Sequence, residues 1–207
     1  MNKNTITTVF SEKEKVNIGY IVAGYPSMDF TKSFLSNLDR TAIDILEIGI
    51  PYSDPLADGK LISQASFAAS QAGVTTDTVF DMLASVKGTV HKPLVFLVYY
   101  NLVFAYGIDA FLQKCVEVGI SGLIIPDLPY EEAQELVEKL RARHIAFIPL
   151  VSVTSDKRIA PIASLGDGFV YAVGSLGVTG SKQVDLSRLE EFIARVRSQT
   201  SLPVSLG

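Results

Sequence analysis

Apolar and polar positions alternate in two rhythms along this chain. Short, almost unbroken apolar runs occupy residues 17–23, 43–46, 93–99, 121–126, 145–150, 168–173 and 202–206. Between them lie stretches whose apolar residues recur every three to four positions, the spacing of an amphipathic helix. An unbroken apolar run of this length predicts a strand buried on both faces, so the pattern predicts seven strands alternating with helices. Punctuation supports these bounds. Gly24-Tyr25-Pro26 closes the first strand, and Ser27 is placed to cap a helix running to about residue 39. Helical spacing follows at 61–71 and 75–86, then at 108–118, 130–143, 156–164 and 186–198. Residues around Asn101 read as a loop, 174–180 as a glycine-rich loop, and the N-terminus as a polar segment.

Repeated strand–helix units without a linker predict parallel βαβ packing in one domain over 1–207. Spacing does not distinguish an open doubly wound sheet from a closed barrel. Polar residues nevertheless gather at the C-terminal strand ends, at Glu47, Tyr99, Asp127 and Tyr171, where a (β/α)8 TIM barrel carries its chemistry. Such barrels need roughly 250 residues. The expectation is therefore a TIM barrel with seven strands present, the eighth missing, and the domain incomplete at its C-terminus.

One stretch breaks the apolar rule. Glu47 follows the run 43–46 and, by strand alternation, shares a face with Ile43 and Ile45. A carboxylate on an apolar face is costly unless paired or protonated. The loop that follows adds two more carboxylates, Asp54 and Asp58, among two prolines. Two carboxyls in different surroundings are a common way to run acid and base chemistry near pH 7. The plainer reading is that Glu47 pairs with a cation or caps the next element, and that Asp54 and Asp58 are turn or cap residues.

Composition narrows the choices. The 207 residues carry a net charge of −4, which argues against an electrostatic nucleic-acid binder. One cysteine precludes a disulfide framework, and two histidines offer no metal-ligand spacing. No apolar h-region opens the chain and no run is long enough to span a bilayer, so a cytoplasmic protein without membrane association is expected.

The segment 46–59, Leu-Glu-Ile-Gly-Ile-Pro-Tyr-Ser-Asp-Pro-Leu-Ala-Asp-Gly, closely resembles the signature of the tryptophan synthase α chain family. Ala23-Gly24-Tyr25-Pro26, Tyr99-Tyr100-Asn101-Leu102-Val103-Phe104, Ile125-Pro126-Asp127-Leu128-Pro129 and Gly177-Val178-Thr179-Gly180 resemble further family segments in order. The resemblance implies a TIM-barrel lyase that cleaves indole-3-glycerol phosphate to indole and glyceraldehyde 3-phosphate by a retro-aldol reaction. It casts Glu47 as the acid and base at the ring carbon and glycerol hydroxyl, Asp58 as acceptor of the indole N–H, and Tyr171 as an active-site tyrosine. An apolar setting would raise Glu47, while Asp58 on a wetter loop would stay ionised. Tyr20, Leu97 and Ile124 match residues lining the indole pocket. Gly177, Thr179 and Gly180 match the sixth loop with its phosphate contact. Pro51, Asp54, Asn101 and Asp127 match the face that meets a β chain.

The resemblance further implies an α2β2 heterotetramer serving tryptophan biosynthesis, with pyridoxal phosphate held only by the β chain and no cofactor in the α chain. One departure stands in Ala172-Val173-Gly174-Ser175-Leu176, where the family often has a Ser-Arg-like pair. Two other classes compete. A sugar-phosphate epimerase or isomerase barrel would want a metal-ligand set or an acid/base pair on opposing strands. A catalytically idle activating subunit would have no reason to keep Glu47, Asp58 and Tyr171.

Overall fold

The computed structural model describes residues 5–55, 57–174 and 186–207. In chain order its regular elements are α1 (Thr5–Glu12), β1 (Ile18–Val22), α2 (Met28–Ser36), β2 (Ile45–Gly49), α3 (Lys60–Gln71), α4 (Thr76–Val86), β3 (Leu94–Leu97), α5 (Tyr100–Tyr106), α6 (Ile108–Val118) and β4 (Ile120–Ile124). Then come α7 (Gln134–Ala142), β5 (Ala146–Phe147), β6 (Leu150–Ser152), α8 (Ile159–Ser164), β7 (Val170–Val173), α9 (Leu186–Arg197) and β8 (Val204–Leu206). All strand pairs are parallel, in the orders β1-β2-β3-β4-β5 and β6-β7-β8.

The fifth expected strand is split. Ile148 still donates to the Leu123 carbonyl at 2.9 Å, but Pro149 has no N–H to continue the ladder. Its carbonyl accepts from Tyr171 at 2.9 Å, so the chain hands over from β4 to β7 at this point. The two sheets therefore follow one curved path of seven strand positions. Among the described residues no strand joins β8 to β1, so the barrel wall stays open there.

Strand alternation sorts the core into two layers. Ile45, Val95, Ile124, Ala146, Ile148 and Phe169 point inward, while Leu46, Ile48, Phe96, Val98 and Leu123 pack outward against helices. Ile43 precedes β2 and packs with the outer layer, so Glu47 shares its face with Ile45 and not with Ile43.

The N-terminal segment, expected to be merely polar, forms α1. Ile6, Val9 and Phe10 recur at i, i+3 and i+4, and this stripe closes the inner floor. Ile6 is fully buried, and Phe10 meets Phe169 with ring centroids 5.4 Å apart. Lys13, just past α1, donates to Asp44 Oδ1 at 2.5 Å, and the Asn17 N–H donates to Oδ2 at 2.8 Å.

Other boundaries moved for local reasons. Ser27 caps α2 as expected, accepting from the Phe30 N–H at 3.1 Å. Asn101 sits in the first turn of α5 and not in a loop, because Asp127 supplies an acceptor to the Tyr100 N–H at 2.8 Å. Helix α7 begins at Gln134, after a turn through Pro129 and Tyr130, and a 3₁₀ turn at Asp156–Arg158 precedes α8.

Candidate active site

Tyr20 and Glu47 lie at the centres of β1 and β2, Leu97 and Ile124 end β3 and β4, and Tyr171 is the second residue of β7. Register places Tyr20 beside Glu47, and Glu47 beside Val95. Gly49 makes the crossing possible, since a side chain there would collide with the Tyr20 hydroxyl. Gly207 plays the same part opposite the Tyr171 hydroxyl.

Glu47 is 3% exposed, and its Oε1 has no hydrogen-bond partner among the described residues. Burial favours the neutral acid and pushes its pKa up to about 7. Among the described residues nothing cationic opposes that shift. Tyr171 is pushed up to about 12, by burial first and the Glu47 charge second. Tyr20 is raised by burial, then by Asp58, then by Glu47, so its phenol feels both carboxyls. These two tyrosines are neutral at any working pH.

Asp58 comes from the other direction, on the loop between β2 and α3. That loop is fastened at two points. Ser66 on α3 accepts from the Tyr52 N–H at 2.9 Å and donates to its carbonyl at 3.0 Å. Tyr99 accepts from the Ala57 N–H at 2.9 Å. Asp58 is half-buried, not on a wet loop as expected. Burial raises its carboxyl above the usual range, and the Tyr99 hydroxyl offsets only part of that rise.

The structure therefore brings Glu47, Asp58, Tyr20 and Tyr171 to one electrostatic neighbourhood. Leu97 is partly buried, while Ile124 is fully buried in the inner cluster and forms floor without exposed surface. Gly177, Thr179 and Gly180 lie outside the described residues. Asp54, Asn101 and Asp127 are exposed on the upper rim, but Pro51 is buried and offers no surface in this state. The Asn101 side chain donates to the Tyr52 hydroxyl at 3.4 Å, a long contact.

Tyr99 is the site residue that the sequence marked only as a polar strand end. Its partners stand more than forty positions earlier, so no local pattern announces them. Among the described residues no group of three or more His, Cys, Asp and Glu side chains is placed to hold a metal ion. No helix among them is long and apolar enough to cross a membrane.

Known proteins resemble this chain in sequence and fold. A family profile described as "Tryptophan synthase alpha chain" matches residues 6–207. The tryptophan synthase alpha chain of Campylobacter jejuni subsp. doylei is 43% identical over 196 residues, covering 94% of this chain and 78% of that one. That of Alkaliphilus metalliredigens is 42% identical over 204 residues, covering 99% and 77%. The solved tryptophan synthase subunit alpha from Campylobacter jejuni superposes with a TM-score of 0.83 at 42% identity, over 94% of this chain and 78% of that one. A Mycobacterium tuberculosis tryptophan synthase structure gives 0.87 at 31% identity, over 98% and 78%.

Proposed function

The chain belongs to the tryptophan synthase alpha chain family, and we propose from that premise that it cleaves indole-3-glycerol phosphate to indole and glyceraldehyde 3-phosphate. The fold is that family's TIM barrel, with the wall open between β8 and β1 among the described residues. The observation that carries the chemistry is a buried glutamate that no partner holds ionised, close in charge terms to a second carboxyl and two neutral phenols.

The reaction breaks the bond between indole C3 and the hydroxyl-bearing carbon of the glycerol chain. Glu47, with a pKa of about 7, delivers a proton to C3 while ionised Asp58 takes the ring N–H, leaving a C2=N1 double bond. The Glu47 carboxylate then removes the glycerol hydroxyl proton. The O–H electrons form the aldehyde, the C3–C bond electrons form C2=C3, and the C2=N1 pair returns to nitrogen. Nitrogen recovers its proton from Asp58. Both carboxyls end as they began. Tyr171, neutral beside Glu47, bounds the reacting space, and Tyr20 and Leu97 face the indole.

Phosphate recognition is assigned on resemblance to Gly177, Thr179 and Gly180. The partner is a β chain carrying pyridoxal phosphate, assembled as α2β2 in the cytoplasm for tryptophan biosynthesis. Asp54, Asn101 and Asp127 lie on the rim suited to meet it. The α chain itself uses no cofactor in this scheme.

Indole release from indole-3-glycerol phosphate, with and without a β chain, tests this reading beside Glu47→Gln and Asp58→Asn. Indole from the parent, strongly reduced in both variants, is expected. A folded parent that yields none with a β chain present sinks the assignment.

A further inference from the structure

We infer that Tyr99 is a positioning residue whose hydroxyl ties the loop after β2 to the end of β3 and holds the Asp58 carboxylate where it acts. This deepens the retro-aldol reading and rests on it. Tyr99 stands at the junction of β3 and α5, at the N-cap position, yet its side chain makes no cap hydrogen bond. The hydroxyl points instead across to a different loop. There it accepts from the Ala57 N–H at 2.9 Å, which sets it against the neighbouring Asp58 carboxyl, and each of the two groups shifts the other's titration.

The ring is 2% exposed and stacks on Tyr52 with centroids 5.0 Å apart, and Tyr52 is held at both backbone ends by Ser66. One phenol thus grips the loop's main chain and its carboxylate from a strand end that cannot move far. A carboxylate carried on a loop loses effectiveness when misplaced by a fraction of an ångström, so such a support has kinetic value. A phenol hydroxyl placed beside Asp58 lowers its carboxyl and so favours the ionised form, the form required to accept the indole N–H.

The test compares the parent with Tyr99→Phe, Asp58→Asn, the double variant, and fluorotyrosine incorporated at position 99. Indole release with the β chain is followed across pH, and Asp58 is titrated by carbon NMR in aspartate-labelled protein. Tyr99→Phe is expected to lower kcat/KM roughly ten- to hundredfold, the cost of a lost hydrogen bond to a charged group. Its acid limb and the Asp58 midpoint should both move to higher pH. Fluorotyrosine, a stronger donor in the same shape, should move both the other way. The double variant should be no slower than Asp58→Asn alone.

An Asp58 midpoint that ignores both substitutions overturns the proposal, as does a rate lowered evenly at every pH. If the parent releases no indole while the midpoint still moves, the reaction reading fails and the Tyr99–Asp58 contact stands.

Discussion

Two carboxyl groups three positions apart on the same stretch of chain behave in opposite ways. Asp44, just before β2, is 8% exposed and Glu47, at the centre of β2, is 3% exposed. Asp44 receives the Lys13 ammonium and the Asn17 N–H. The Lys13 hydrogen bond holds its carboxyl below the usual range against the upward pull of burial. Among the described residues nothing donates to Glu47 Oε1, and burial pushes the carboxyl up to about 7. Burial is common to both; partners decide the outcome. At the floor, a satisfied charge fastens α1 to the barrel. Within β2, an unsatisfied one favours its neutral acid, at a cost in stability.

The largest effect that sharpens this contrast is on turnover. Glu47→Gln keeps the shape and removes the proton, and should lower indole release roughly 10²–10⁴-fold, read as kcat/KM. Variant activity within a few-fold of the parent breaks the contrast. At the floor, Ile6→Ala should destabilise by about 2–4 kcal/mol by opening a cavity beneath Phe169, measured by denaturant unfolding. A change near zero would mean that α1 is not part of the core.

Glu47→Gln should also raise stability, in a pH-dependent way. The folded pKa of about 7 lies above the ordinary 4.5. Between those values the folded state binds more protons than the unfolded one, so the parent loses stability as pH rises. The difference, about 3 kcal/mol, should separate parent from variant at pH 8 and vanish near pH 4. Parallel stability curves for the two proteins would deny that Glu47 is buried without a partner.

The smallest effect is at Asp44→Asn, which should cost about 1–2 kcal/mol because Lys13 is half exposed and water weakens the pair. Here the sign reverses. The depressed pKa makes this contribution complete above the unfolded value and lost as pH falls through the folded one. The gap between parent and variant should therefore close in acid while activity per folded molecule is unchanged. A gap that widens in acid would contradict the pairing.

Local rhythm made Glu47 legible, because a carboxyl within a two-faced apolar run has few innocent explanations. It could not make Asp44 legible as a lock, since Lys13 lies 31 positions away in a segment whose stripe of Ile6, Val9 and Phe10 is short. The same limit hid Tyr99, whose partners are on the loop after β2, and hid α5, whose first turn is satisfied by Asp127 from after β4. Strand existence was readable throughout. The break at Pro149 was not read, although a proline inside a central strand cannot serve the ladder and carried the signal. Asp58 was expected to be wet because it sits on a loop, but that loop is tied back to Tyr99 and Asp58 is half-buried.

The most direct measurement is the titration of the Glu47 carboxyl by carbon NMR in glutamate-labelled protein, assigned by subtracting the Glu47→Gln spectrum. The account predicts a midpoint near 7, with indole release falling as pH rises through the same value. A midpoint in the ordinary glutamate range would contradict it, because Glu47 would then already be ionised and have no proton to give to indole C3 at neutral pH.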